Sequence, residues 1–150
     1  MTPVLRPAVA GDANTVRALA RAAYAQYVPD IGREPGPMAE DYAARVAEGA
    51  VQVLVEGDKI LGFIVLFEDS DALLLDNVAV APDAQGRGFG RLLVEAAEAE
   101  ARALGHDRIR LYTHVRMTAN IALYTRLGFR ETRRVTEKGF HRVYMEKRLG

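Results

Sequence analysis

Apolar residues recur along this chain at two spacings, near 3.6 and near 2 residues, and the switches between them mark out helices and strands. Val4 to Arg6 reads as a short strand, after which Asp12 offers a carboxylate to cap a helix with Val16, Leu19, Ala20 and Ala23 on its inner side, running to about Tyr27. The stretch PDIGREPGPM is broken by three prolines and two glycines and reads as a connection, followed by a second helix from about Met38 to Glu48 that Gly49 closes. Val51 to Val55 and Ile60 to Phe67 flank Glu56-Gly57-Asp58-Lys59 as a hairpin, and Leu73 to Val80 is a further strand that stops before Pro82. From Gly90 to Leu104 the period is helical again, with Leu92, Leu93, Ala96, Ala97 and Ala103 against a charged side of Arg91, Glu95, Glu98 and Arg102. Ile109 to Val115 is a strand, Thr118 to Leu127 a short helix ended by Gly128, and Phe129 to Glu137 and Phe140 to Arg148 form a hairpin about Lys138-Gly139. This order predicts an α+β fold around a mixed sheet, built as one domain over residues 1–150, without repeat, low-complexity tract or linker.

Composition narrows the function classes. With 150 residues, 49% of them hydrophobic, the chain can bury a core, and its 20 basic and 20 acidic residues cancel. No broad basic footprint for nucleic acid or anionic lipid follows, so any anion site must be local. The absence of cysteine excludes disulfides, thiolate metal ligands and a cysteine nucleophile. The start MTPVLRPAVAGD does not resemble a signal peptide and no run nears the ~20 apolar residues of a membrane span, so a cytoplasmic protein is expected. His106, His114 and His141 lack metal-ligand spacing, and no serine stands in a G-x-S-x-G turn; neither a metal site nor that type of hydrolase is expected.

One local anion site is written into AQGRGFGRLL, Ala84 to Leu93, where Gly86, Gly88 and Gly90 alternate just ahead of a helix. A helix start leaves amide N–H groups unpaired and partially positive, and glycines let an anion approach them; Arg87 and Arg91 add charge. The same glycines also suit a plain strand-to-helix turn. The Rossmann fingerprint fails because Arg91 holds the third glycine's place, and no Gly-Lys-Ser/Thr follows as a P-loop requires. In its wider context, VAVAPDAQGRGFGRLL resembles the acyl-CoA signature Q/R-x-x-G-x-G/A of the GNAT superfamily of N-acyltransferases, through Gln85, Gly88 and Gly90. TANIALYTRLGF resembles, with departures, the family's later N-x-x-A-x-x-x-Y-x-x-x-G-F pattern, the likeness carried by Asn120, Tyr124, Gly128 and Phe129.

The resemblance implies a three-layer α/β/α arrangement: a mixed, mostly antiparallel sheet of about seven strands, four helices, and fourth and fifth strands that splay. It implies acetyl-CoA as cosubstrate, with main-chain groups of Val78, Ala79 and Val80 pairing with pantetheine and the diphosphate resting on Gln85, Gly86, Arg87, Gly88, Phe89, Gly90 and Arg91. Asn120 and Tyr124, four residues apart on one helix face, would hold the pantetheine arm and protonate the leaving thiolate. An amine must lose a proton before it attacks, and Asp76 and His114, on the two flanking strands, are the candidate bases. Leu74, where some members carry a carboxylate, offers none.

Acceptor choice is less legible. In the family the first two helices wall the acceptor side, which brings in Tyr24, Tyr27, Glu34, Met38 and Tyr42, with Glu34 suited to a cationic amine; packing roles suit the same residues. The expected function is acetyl transfer to a primary amine, on a small molecule or a peptide, by direct attack in a ternary complex. A non-catalytic acyl-CoA sensor is the alternative. The family often forms homodimers, and nothing in the sequence marks an interface.

Overall fold

The computed structural model of the chain describes residues 2–150. Seven strands, β1 (Val4–Pro7), β2 (Val51–Glu56), β3 (Lys59–Glu68), β4 (Leu73–Val80), β5 (Arg108–His114), β6 (Arg130–Glu137) and β7 (Phe140–Arg148), hydrogen-bond in the order β1-β2-β3-β4-β5-β7-β6. The helices are α1 (Ala13–Tyr24), α2 (Val28–Ile31), α3 (Gly36–Ala39), α4 (Tyr42–Ala47), α5 (Phe89–Ala103) and α6 (Thr118–Arg126). The chain forms two compact units, residues up to Leu66 with Asn77–Val94, and Phe67–Asp76 with Glu95–Gly150. Both β4 and α5 therefore run through the two units.

In the first unit β1, β2 and β3 pair antiparallel, Val4 opposite Val55 and Val53 opposite Phe63, with an irregularity between Leu54 and Val55. The apolar stripe expected on α1 is buried: Val16, Leu19, Ala20, Ala23 and Tyr24. Val53, Leu54, Phe63, Ile64 and Leu93 are buried too, each large side chain contributing about 1.5–3 kcal/mol relative to exposure. Two local expectations are corrected. Asp12 does not cap α1; its carboxylate turns back to accept from the Val9 amide at 2.8 Å and from Arg6 at 2.7 Å, because an arginine on β1 supplies a charged partner stronger than a helix amide. The second helix is not continuous from Met38 to Glu48. Glu40 is extended, with ψ 144°, and Asp41 caps α4 through the Ala44 amide at 3.1 Å, so the chain restarts its helix there. The connection before it is also more helical than expected, since α2 accommodates Pro29 in its first turn and ends at Gly32.

In the second unit β5, β7 and β6 pair antiparallel, with Leu111 opposite Met145 and Tyr112 opposite Tyr144. Leu73, Ala97, Ala101, Ile109, Leu111, Val143 and Met145 are buried. The pairing of β4 with β5 is parallel and short, Leu73 opposite Ile109 and Leu74 opposite Arg110, which is the splay that the family resemblance implies. Charges tie the rim: Lys147 to Glu98 at 2.7 Å, and Arg110 to both Asp71 at 2.9 Å and Glu146 at 3.0 Å.

Candidate active site

The first unit builds the glycine turn. After β4 a single turn over Pro82–Ala84 returns Gln85 to the strand, where its Nε2 donates to the Val80 carbonyl at 3.2 Å. Gly86 and Gly88 follow with φ of 83° and 84°, a region that only glycine enters without strain. A Cβ on either would meet nothing within 4 Å, so backbone shape, not crowding, demands glycine, and the space above the turn is open. The Leu92 amide bonds the Gly88 carbonyl at 3.1 Å, making Gly88 the entry to α5; the amides of Phe89, Gly90 and Arg91 thus belong to the first turn, whose N–H groups lack a carbonyl one turn earlier. Arg87 stacks its guanidinium 4.6 Å from the Phe89 ring centroid and meets Glu56 at 3.3 Å.

The half-exposed positions of β4 are Leu74, Asp76, Val78 and Val80, the alternation read from the sequence, while Asn77 and Ala79 are buried. Asn77 is only 4% exposed and is fully engaged. Its Oδ1 accepts from the Tyr24 hydroxyl at 2.6 Å, and its Nδ2 donates to the Tyr42 hydroxyl at 2.7 Å, which donates on to the Pro37 carbonyl. The Tyr24 hydroxyl also lies 3.0 Å from the Val78 carbonyl. Two of the five acceptor-side residues named from sequence are thereby brought to β4 through an asparagine the sequence reading passed over. Its only signal was a polar residue inside the apolar run LLLDNVAV. Met38 is buried, and Tyr27 is half-buried with its hydroxyl pKa raised by burial. Glu34 is exposed and paired with Arg21 at 2.9 Å. Gly62 was also missed: a Cβ there would lie 2.7 Å from the Ala79 carbonyl oxygen and 3.2 Å from Leu93 Cδ1, so β3 approaches β4 and the start of α5 only because this residue has no side chain.

The second unit holds the remaining residues. Tyr124 on α6 is 5% exposed, its ring edge-on to Phe129 at 5.6 Å. Asn120 lies one turn earlier and points Nδ2 at the Met117 sulfur, 3.6 Å away, which also meets the Thr113 hydroxyl at 3.4 Å. Counting back from Tyr124, the asparagine place of N-x-x-A-x-x-x-Y falls on Met117 and Asn120 takes the alanine place, which corrects the alignment of that motif. His114, at the end of β5, is buried, and its Nδ1 accepts the Arg116 amide at 3.0 Å. Burial, then the charges of His141, Arg116 and Arg142, lower its pKa, so the neutral ring prevails with its proton on Nε2. In that tautomer Nε2 carries the proton and Nδ1 is occupied by the Arg116 amide. Among the described residues no group of three or more His, Cys, Asp or Glu side chains could hold a metal ion, and no helix is long and apolar enough to cross a membrane.

A mixed seven-stranded sheet with a glycine turn opening α5 after β4 defines the class of fold. Residues 16–129 match the acetyltransferase (GNAT) family, and the chain belongs to it. It is 41% identical over 64 residues to N-alpha-acetyltransferase 80 of Mus musculus, covering 43% of this chain and 19% of that protein. It is 37% identical over 78 residues to the ribosomal protein bS18-alanine N-acetyltransferase of Salmonella typhimurium, covering 52% and 53%. The chain therefore spans from about a fifth to about half the length of these relatives. Its fold is that of the PaiA N-acetyltransferase of Thermoplasma acidophilum, crystallised with coenzyme A, with a TM-score of 0.84, 20% identity and 99% of each chain covered.

Proposed function

We propose that this protein transfers an acetyl group from acetyl-CoA to a primary amine. The observation that carries the reading is the turn at Gly86 and Gly88: left-handed backbone, open space above it, and the unpaired first-turn amides of α5 directly behind. The CoA diphosphate would rest on these amides, with Arg87 and Arg91 adding charge, and the pantetheine amides would pair with the main chain of Val78, Ala79 and Val80 as an added strand.

The amine nitrogen attacks the thioester carbon, and the developing oxyanion takes a hydrogen bond from the main-chain N–H near Val78, held in place beforehand by the strand. The C–S bond then breaks, the thiolate receives a proton from the Tyr124 hydroxyl, and the second proton, shed by the nitrogen as the amide forms, returns through water to the Tyr124 oxygen. The ammonium proton leaves before attack, to Asp76 or through water, since His114 presents N–H. The single-step attack needs no covalent acyl-enzyme, in keeping with the lack of cysteine.

Calorimetry with coenzyme A and thiol release over an amine panel test this. Binding is expected in the wild type and weakened in Gly88→Ala, whose side chain strains a backbone at φ 84°. Tyr124→Phe is expected to lower kcat by about 10²-fold at unchanged CoA affinity. No heat with CoA from folded protein, or no amine-dependent thiol release, overturns the proposal.

A further inference from the structure

Three buried side chains of the first unit, Tyr24, Asn77 and Tyr42, form a hydrogen-bonded chain in which every proton has one direction. The Pro37 carbonyl can only accept, so the Tyr42 hydroxyl donates to it, and the Tyr42 oxygen takes the Asn77 Nδ2–H at 2.7 Å. That turns Asn77 Oδ1 toward Tyr24, whose hydroxyl donates to it at 2.6 Å and lies 3.0 Å from the Val78 carbonyl oxygen. One hydroxyl of α1 thus grips β4 at two successive residues, by the side chain of Asn77 and the main chain of Val78. The peptide that carries the Val78 N–H lies between these two holds.

Neighbouring contacts in the same unit show which way that N–H points. The Ala81 amide, just past β4, donates to the Leu61 carbonyl of β3 at 2.8 Å. Main-chain groups of an extended chain alternate between its edges, so Ala79 faces β3 as Ala81 does, whereas Val78 and Val80 face the opposite edge. The Ala79 carbonyl agrees, standing 2.7 Å from the place a Cβ would take on Gly62 of β3. On the opposite edge the Val80 carbonyl meets Gln85 Nε2 at 3.2 Å, as the Val78 carbonyl meets Tyr24. Side chains engage both carbonyls of this edge, which turns the N–H groups of the same residues toward an incoming acyl oxygen.

Resting on the acetyl-transfer reading, we propose that Tyr24, backed by Asn77 and Tyr42, is a positioning residue that holds the Val78 N–H on the thioester oxygen. A donor fixed in advance stabilises the oxyanion more than the neutral carbonyl, so loosening it slows the chemical step more than it weakens binding. Coenzyme A itself has no acyl carbonyl, and its affinity is indifferent to the aim of this N–H.

The test compares wild type, Tyr24→Phe and Tyr42→Phe, each full length and shown folded by its thermal melt. In Tyr24→Phe kcat is expected to fall about tenfold, a fraction of the about 10²–10³-fold that deleting a whole oxyanion donor costs. Coenzyme A affinity and stoichiometry by calorimetry stay within about twofold, and Tyr42→Phe shows a smaller loss of kcat with the same split. The 15N-labelled wild type is expected to move its Val78 amide proton downfield with the ketone analogue of acetyl-CoA that carries CH2 in place of sulfur, and not with S-ethyl-CoA; Tyr24→Phe loses most of that difference. An unchanged kcat in Tyr24→Phe, kcat and coenzyme A affinity falling together, or an equal Val78 response in both proteins overturns the positioning role and leaves acetyl transfer standing. Wild type that neither binds coenzyme A nor releases thiol overturns the acetyl-transfer reading, and the role falls with it.

Discussion

Replacing Asn77 by leucine removes the oxygen and the nitrogen that hold the hydroxyls of Tyr24 and Tyr42 in the interior. Each hydroxyl keeps a main-chain acceptor, Val78 for Tyr24 and Pro37 for Tyr42, but loses a buried hydrogen bond worth about 0.5–1.5 kcal/mol, so urea denaturation should show Asn77→Leu destabilised by about 1–3 kcal/mol in all. Tyr24→Phe should cost less, since it removes the hydroxyl with its bonds to the Asn77 side chain and the Val78 carbonyl and leaves the link from Asn77 to Tyr42 intact. A loss no larger than that of an exposed substitution would mean the network is not formed. These partners stand 53 and 35 residues from Asn77, so nothing near it along the chain points to them. Gly86 and Gly88 were legible for the opposite reason: their need is local, set by their own φ and by the helix that begins beside them. His114 was legible as a polar residue on a flanking strand, whereas its tautomer depends on where the Arg116 amide points.

At the scale of elements, the close approach of β3 to β4 rests on one missing side chain. Gly62→Ala places a carbon 2.7 Å from a main-chain oxygen, which cannot rotate away, so a loss of about 1–3 kcal/mol is expected in denaturant titration; an unchanged midpoint would show that the strands yield freely. The link between β1 and α1 has a pH signature. Arg6, then the Val9 amide, lower the Asp12 pKa below its unfolded value. Stability from this contact is therefore complete above the unfolded carboxylate pKa, near 3.9, and fades as pH falls through the lower folded value. The melting midpoints of wild type and Asp12→Asn should differ at neutral pH and converge in acid; a constant gap would dismiss the pair. Strand and helix identities were readable from periodicity because burial of one face sets it. The break at Glu40 and Asp41 was not, because both residues suit a helix interior or a helix start, and the choice is made by where Met38 and Tyr42 find their burial.

For the molecule as a whole, cancelling totals conceal an uneven distribution: the net charge is zero, yet the last hairpin carries a positive excess beside the stacked Arg142. The alternation of helix and strand, the glycine turn and the family were readable along the chain, because periodicity, backbone strain and helix-start amides act within a few residues. Tertiary structure decided the rest. Asn77 gathers two tyrosines, Gly62 admits a neighbouring strand, Asp12 turns from helix to arginine, and Arg142 settles between aromatic rings, each because groups distant along the chain compete for one place in space, and only folding assigns the winner.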